Sequence, residues 1–284
     1  MSVPISVLIA TKNEAVNLRG ALESVSWVDQ VVVVDSGSVD LTVAIAEEMG
    51  ADVLQFEYDG GWPKKRNWAL SHSIFRNRWV FVLDADERIS DASRREIESM
   101  ISRDEKVAGY YIQWKFIFLG RWMKNSWSHG WMLRLFRRGE AAYEDLGMRD
   151  EGGWDAEVHE NIVSSGECRR LMEPLIHESE QSLAFWLEKQ NQFSTWNAKR
   201  RLDQSKEDLP SVIHFFSRDP VRRRKLLKRL FLRMPCKPVV MFLYLYVWKK
   251  GFLDGKAGYY FCMLRAAHEL NINAKLYEAE VMRR

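Results

Sequence analysis

The 284-residue chain holds only three cysteines and seven prolines. Cys168, Cys236 and Cys262 lie far apart and form no CxxC pair. That excludes a disulfide framework and a cysteine zinc site, and it suits a reducing compartment. Proline scarcity and ordinary charge exclude collagen and wholesale disorder. No apolar run approaches the roughly 18 residues of a membrane span; the best stretch, Val239 to Trp248, has ten. The opening MSVPISVLIATKNE lacks a basic leader and soon meets Glu14, so no signal peptide is expected. Several catalytic signatures are missing too. There is no GxxxxGK followed by Ser or Thr, no GxGxxG after the first strand, no HExxH and no GxSxG. A P-loop enzyme, a dinucleotide-binding enzyme, a zinc protease and an α/β-hydrolase are disfavoured accordingly.

What remains is a globular composition, 46% hydrophobic and 29% charged, long enough for a full-sized core. The net charge of +3 hides an uneven distribution. Between Arg218 and Lys250 eleven Lys/Arg face one acid, Asp219. A basic block with apolar neighbours favours an anionic surface.

The first ninety residues read as alternating strands and helices. Ile5–Ala10, Gln30–Val34, Val53–Phe56 and Trp79–Leu83 are short apolar runs of the kind buried in parallel sheets. Helical spacing follows at Asn17–Val25, after Asp40, and at Lys64–Phe75. Gly50 ends the second helix. This order predicts an α/β fold, a Rossmann-like and mostly parallel sheet flanked by helices. Ligands of such sheets bind beyond the C-terminal strand ends. Thr11, Asn13, Glu14, Asp35, Asp84 and Asp86 all fall there.

Asp84-Ala85-Asp86 places two carboxylates on alternate residues at a strand end, where they can share one Mg²⁺ or Mn²⁺. Asp35 ends its strand with no evident local partner and is read as a ligand for a base N–H or a ribose hydroxyl. Asp40 is read as a helix cap.

Four strings in order, ISVLIATKNE, VVDSGSVDLT, Lys65-Arg66-Asn67 and Leu83-Asp-Ala-Asp-Glu87, resemble glycosyltransferase family 2 with the GT-A fold. Arg134-Leu-Phe-Arg137, Val158-His-Glu160, His177 and Gly251-Phe-Leu-Asp-Gly255 resemble its lipopolysaccharide-core β-glucosyltransferase branch. The resemblance implies inverting sugar transfer from a UDP-sugar. Thr11, Asn13, Glu14, Asp35 and Arg66 would hold the nucleoside, Asp84 would lie near the ribose, and Asp86 would bind the metal. Departure of the diphosphate builds negative charge that a divalent cation neutralises. A carboxylate must also take the acceptor's proton. Asp155, Glu157 and Glu160 compete for that role, and Glu160, within the Val-His-Glu string, is preferred. His159 and His177 are each read as a metal ligand or phosphate donor, against a structural role. Arg134, with Trp127 and Trp131, is assigned to the acceptor or phosphate side.

Residues 1–180 are expected to form the catalytic domain and 181–284 a helical, basic region. Segment 218–250 is expected to lie on the anionic inner face of the plasma membrane, and no nucleic-acid motif is present. The alternatives are a sugar nucleotidyltransferase, disfavoured by the lack of a Gly-rich phosphate loop, and a non-catalytic nucleotide-binding module.

Overall fold

A computed structural model describes residues 2–72, 74–103, 106–127, 130–145, 161–178, 182–204, 234 and 236–282. They fall into two compact units, 1–117 with 129–181 and 118–128 with 182–284. The second unit thus takes in 118–128, a stretch that the sequence division left with the first.

The first unit opens β1 (Val3–Thr11), α1 (Ala15–Ser24), β2 (Val28–Asp35), α2 (Thr42–Glu48), β3 (Asp52–Gln55), α3 (Lys65–Ser71) and β4 (Trp79–Asp84). The expected α/β sheet is present, and β1, β2, β3 and β4 pair in parallel. Helix α3 stops at Ser71, short of the expected Phe75, because His72 turns to extended backbone. Phe75 is buried all the same, in the loop beyond.

After β5 (Glu87–Arg88) and α4 (Asp91–Ser102), the chain adds β6 (Gly109–Ile112), β7 (Trp114–Phe118) and β8 (Arg121–Trp122), the last in the second unit. Then come β9 (Met132–Arg137), β10 (Ala141–Tyr143), β11 (Ile162–Ser164), β12 (Cys168–Arg170) and β13 (Leu175–His177). The main sheet runs β12-β6-β9-β4-β1-β2-β3. Strand β9 is antiparallel to both its neighbours. In a smaller sheet β13 lies antiparallel to β5 and parallel to β7.

Alternation along the strands explains the two-sided burial. Val7, Ile9, Val33, Phe81 and Leu83 pack on one face with Leu18 and Leu22 of α1 and Ile97 of α4. Leu8, Val32, Val34, Val80 and Val82 pack on the other with Ala69 of α3. A strand buried on both faces reads as a continuous apolar run, which is why β1, β2 and β4 were legible, whereas edge strand β3 is only half-buried. The chain leaves β1 for β2 on one side and returns to β4 on the other, so the β1/β4 boundary is the sheet's topological switch point.

The second unit contains α5 (Leu183–Gln204), a helix Lys237–Leu243 continued by a π turn Tyr244–Trp248, a 3-10 turn Gly251–Asp254 and the long helix Gly255–Val281. Asp254 is buried and accepts hydrogen bonds from the backbone and side chain of both Asn125 and Ser126. A Cβ on Gly258 would meet the Gly251 carbonyl oxygen at 2.4 Å and Asp254 Cβ at 2.6 Å. Gly258→Ala is therefore expected to destabilise the unit by about 3 kcal/mol, the upper end for overpacking, read as a lower urea midpoint.

His268 is buried in the long helix, and its Nδ1 has no hydrogen-bond partner among the described residues. Burial, reinforced by Arg265 and Arg201 against Glu269 and the Gln190 backbone, pushes its pKa from 6.5 down to about 4. The unfolded chain therefore takes up this proton first as the pH falls. Stability that is whole above pH 6.5 declines as the pH drops through that value toward 4. Thermal unfolding at stepped pH should show the decline, and His268→Gln should flatten it.

Candidate active site

The register brings the predicted strand ends together. Thr11 lies opposite Asp35 across β1 and β2, and Ala10 lies opposite Asp84 across β1 and β4. The first cluster is held by neutral donors. Thr11 Oγ1 donates to Asp35 Oδ1 at 3.0 Å. Ser38 donates its amide to Oδ2 at 2.7 Å and its hydroxyl to Oδ1 at 2.5 Å. Asp35 is 0% exposed. It therefore does have local partners, contrary to the expectation from sequence. The Ser36–Ser38 turn folds back on it, a short-range bond that no apolar pattern reveals.

The two loops above β1 and β2 are tied to each other. Asn13 adopts a left-handed conformation, φ 56°. It donates its amide to Ser38 Oγ and accepts from the Val39 amide. The Glu14 amide donates to Thr42 Oγ1, and the Glu14 carboxylate accepts from Asn17 Nδ2. Asp40, read from sequence as the cap of α2, stands one residue before its N-cap Leu41; its carboxylate accepts from the Thr42 amide and from the Ala15 amide at the start of α1. Lys65 is buried and donates to the Thr11 carbonyl at 2.7 Å.

The second cluster is ionic. Arg66 Nη2 reaches Asp84 Oδ1 at 2.5 Å, and Arg134 Nη2 reaches Asp84 Oδ2 at 2.8 Å. The same Arg134 nitrogen lies 2.8 Å from Glu87 Oε1. Glu87 also accepts from the Asp84 amide and from Trp114 Nε1. Glu87 is 0% exposed and Arg134 5%. Burial alone would raise the Asp84 carboxyl, but Arg134 and then Arg66 hold it far below the usual carboxylate range. For Glu87, burial prevails, with help from Asp84 and against Arg134, and lifts it to about 7.

Asp86 Oδ2 lies 3.4 Å from His177 Nε2, and the Asp86 carbonyl accepts from the Glu178 amide. Burial would lower the His177 pKa, but Asp86 raises it to about 9. Trp114 and Phe116 meet the imidazole edge-on at 5.1 and 5.4 Å.

Not every assignment from sequence falls at this place. Arg134, expected at the acceptor or phosphate, is instead buried on Asp84 and Glu87, because antiparallel β9 feeds it toward the end of β4. Both oxygens of Asp84, expected as a second metal ligand, are taken by arginines. Trp131 stacks under Arg170 at 4.8 Å, while Trp127 belongs to the second unit and meets Phe261 at 5.8 Å. Asp155, Glu157, His159 and Glu160 lie outside the described residues. Sequence reasoning gave no role to Glu87 or Trp114. The one available signal for Glu87 was its place directly after Asp84-Ala85-Asp86.

Among the described residues no group of three or more His, Cys, Asp or Glu forms a metal cage. Asp86 and His177 nevertheless offer a carboxylate oxygen and an imidazole nitrogen on neighbouring strand ends, and the buried His177 Nδ1 has no hydrogen-bond partner among the described residues. The donor types of this mixed pair fit a partial site for a divalent cation, whose remaining ligands would have to come from phosphate and water. Mn²⁺ suits it better than Mg²⁺, which prefers oxygen throughout.

Truncating Arg134 to Met should cost about 3–5 kcal/mol in urea unfolding, because buried Glu87 and half-buried Asp84 lose their shared cation. Adding Glu87→Gln should recover part of that loss. Recovery would identify the stranded charge, rather than lost packing, as the source of the cost.

The sequence profile described as glycosyl transferase family 2 matches residues 6–155. The chain is similar to the lipopolysaccharide core biosynthesis glycosyltransferase LpsC of Rhizobium meliloti, 25% identical over 99% of this chain and 94% of that protein. It is 30% identical to an uncharacterized glycosyltransferase of Rickettsia felis over 72% of each chain. Among solved structures, mannosyltransferase PcManGT from Pyrobaculum calidifontis, in complex with GDP-Man and Mn²⁺, aligns over 98% of this chain and 88% of that one, with TM-score 0.47 and 15% identity. Glucosyl-3-phosphoglycerate synthase from Mycobacterium tuberculosis, in complex with Mg²⁺ and UDP, aligns over 41% of this chain and 44% of that one, with TM-score 0.30 and 22% identity. The profile spans both clusters, from the Thr11–Asp35 pair to the Asp84–Asp86 triplet, and the chain belongs to glycosyl transferase family 2.

Proposed function

We propose that the protein transfers a hexose, with glucose the first choice, from a UDP-sugar to a cell-surface glycan. The acceptor would be a lipopolysaccharide core or a lipid-linked oligosaccharide, and transfer would proceed by direct displacement with inversion. The observation that carries this reading is the register that sets Asp35, Thr11 and Asp84 side by side at the sheet's switch point. Membership of the family supports sugar transfer, and full-length similarity to a protein named for lipopolysaccharide core biosynthesis supports the acceptor class.

Each role follows from the chemistry of the side chain. Asp35 uses three of about four acceptor positions on Thr11 and Ser38. The fourth can take a uracil N–H or a ribose hydroxyl once the Ser38 turn gives way. Thr11, Asn13 and Glu14 shape the loop beside it. Arg66, already at the mouth of the site on Asp84, can swing its guanidinium to a phosphate oxygen. Asp84 would lie near the ribose. Asp86 and His177 would hold a divalent cation, which when bound neutralises charge on the departing diphosphate. A carboxylate of the 155–160 stretch, with Glu160 preferred over Glu157 and Asp155, would take the acceptor hydroxyl's proton as its oxygen attacks the anomeric carbon. The chain would work on the anionic inner face of the plasma membrane, using segment 218–250.

The test is a nucleotide-sugar panel with Mn²⁺ or Mg²⁺. Wild-type protein should turn over a UDP-sugar, and Asp86→Ala and Asp86→Asn should each lose roughly 10²–10³-fold in kcat. Both variants should keep a wild-type circular dichroism spectrum while losing the metal-dependent part of UDP stabilisation. Unchanged turnover in folded Asp86→Ala would overturn the metal role.

A further inference from the structure

The second unit displays an apolar surface that nothing in the transfer chemistry uses. Val239, Leu243 and Val247 recur at four-residue spacing along the Lys237–Leu243 helix and its π turn, and all three are exposed. Trp248 follows at 80% exposure, and Phe252 and Leu253 stand out from the 3-10 turn. A soluble surface rarely carries so many large apolar side chains in fifteen residues.

These side chains sit on a rigid base. Phe242 stacks on Tyr246 at 5.1 Å, and Tyr246 meets both Phe252 and Tyr259 edge-on, at 6.1 and 5.8 Å. Helix, turn and long helix are therefore joined by one aromatic cluster, and the exposed groups share one platform. The charge pattern says what covers it. From Lys237 to Tyr260 the chain has four lysines and a single acid, Asp254. That acid is buried on Asn125 and Ser126 and shows the outside no negative charge. Lys250 and Lys256 are exposed beside Trp248, Phe252 and Leu253. A protein partner would meet an apolar patch with acids and bases mixed at its rim. Exposed apolar side chains whose flanking exposed charges along the chain are lysines fit a bilayer of anionic lipid, with the tryptophan at headgroup depth. Among the described residues no helix is long and apolar enough to cross a membrane.

We propose that the surface formed by Val239, Leu243, Val247, Trp248, Phe252 and Leu253 docks on an anionic phospholipid bilayer. In this arrangement Trp248 and the 3-10 turn enter the headgroup layer, and Lys249, Lys250 and Lys256 face lipid phosphates. The inference deepens the membrane-facing part of the proposed function and rests on it. It also moves the apolar contact to the end of the basic segment and beyond.

Full-length protein should co-sediment with phosphatidylcholine vesicles that contain phosphatidylglycerol, and poorly with phosphatidylcholine alone. The Trp248→Ser/Leu253→Ser variant should bind at least about tenfold more weakly. Lys249→Glu/Lys250→Glu should cost about fivefold for each charge removed and abolish the preference for the anionic lipid. Circular dichroism and UDP-dependent thermal stabilisation, followed in parallel, should match wild type in both variants. Three results would overturn the proposal: no binding of wild-type protein to anionic vesicles, wild-type binding by the serine variant, or a soluble oligomer that the serine variant dissociates. Absence of any UDP stabilisation with vesicle binding intact would instead refute the donor reading and leave this surface standing.

Discussion

Arg134 is the cation around which the charges of the site are balanced. It is almost wholly buried, and one of its nitrogens bridges Asp84 and Glu87. Its guanidinium lies over the Trp114 ring at 5.4 Å, while the Trp114 indole N–H holds Glu87. Buried ion pairs are poor sources of net stability, since desolvation consumes most of the attraction. Their value here is positional. Glu87 fixes Arg134, Arg134 fixes Asp84, and Asp84 ends the strand beside the switch point. The antiparallel direction of β9 makes this possible. Leu135 pairs with Phe81, so the preceding residue on β9 advances toward the end of β4, where a parallel strand would have carried it away.

The two acidic clusters face a ligand on different electrical terms. Asp35 is surrounded by hydroxyls and an amide, and none of these cancels its charge. It remains a strong acceptor for a neutral N–H or O–H. Asp84 and Glu87 are matched by Arg66 and Arg134, and Asp86 is matched by His177. A nucleoside diphosphate at this end of the sheet, as proposed above, would therefore meet a nearly neutral cluster, where three bare carboxylates would repel it. Arg66 is the less buried of the two arginines on Asp84 and the one placed to exchange its carboxylate for a phosphate oxygen.

How far this could be read from the residues depended on the range of the forces involved. Strands β1, β2 and β4 announced themselves because burial on both faces leaves a near-continuous apolar run, while half-buried edge strand β3 offered only Val53, Leu54 and the Phe56 that follows. Gly50 was legible as a helix stop, and its φ of 75° shows why a glycine stands there. Asp35 and Asp84 could be placed at strand ends by simple counting. Their partners could not. Arg134 comes from 50 residues away and Trp114 lies 27 residues from Glu87, and no local pattern encodes such pairings. The short strands from 109 to 177 were equally opaque. With two to six residues each, half-buried and rich in aromatics, they lack a period long enough to detect. Arg134 was accordingly assigned outward, to substrate, when its real partners were carboxylates of its own chain.

Asp254 shows how a single acid can shape a surface by leaving it. In sequence it interrupts a lysine-bearing apolar stretch and would be expected to weaken any attraction to anionic lipid. Folding turns its carboxylate inward, where Ser126 and Asn125 supply both backbone and side-chain donors. Those hydrogen bonds outweigh the burial that would otherwise raise its pKa, and the carboxyl is held below its ordinary value. It is thus ionised at neutral pH and fully engaged inside. The closeness of Gly258 to the Gly251 carbonyl keeps the turn tight enough for this to happen. One buried acid thereby organises residues 125–126 and turns its carboxylate away from the exposed side chains of Trp248, Phe252 and Leu253. Composition alone, which counts Asp254 against the lysines, understates how cationic that face becomes.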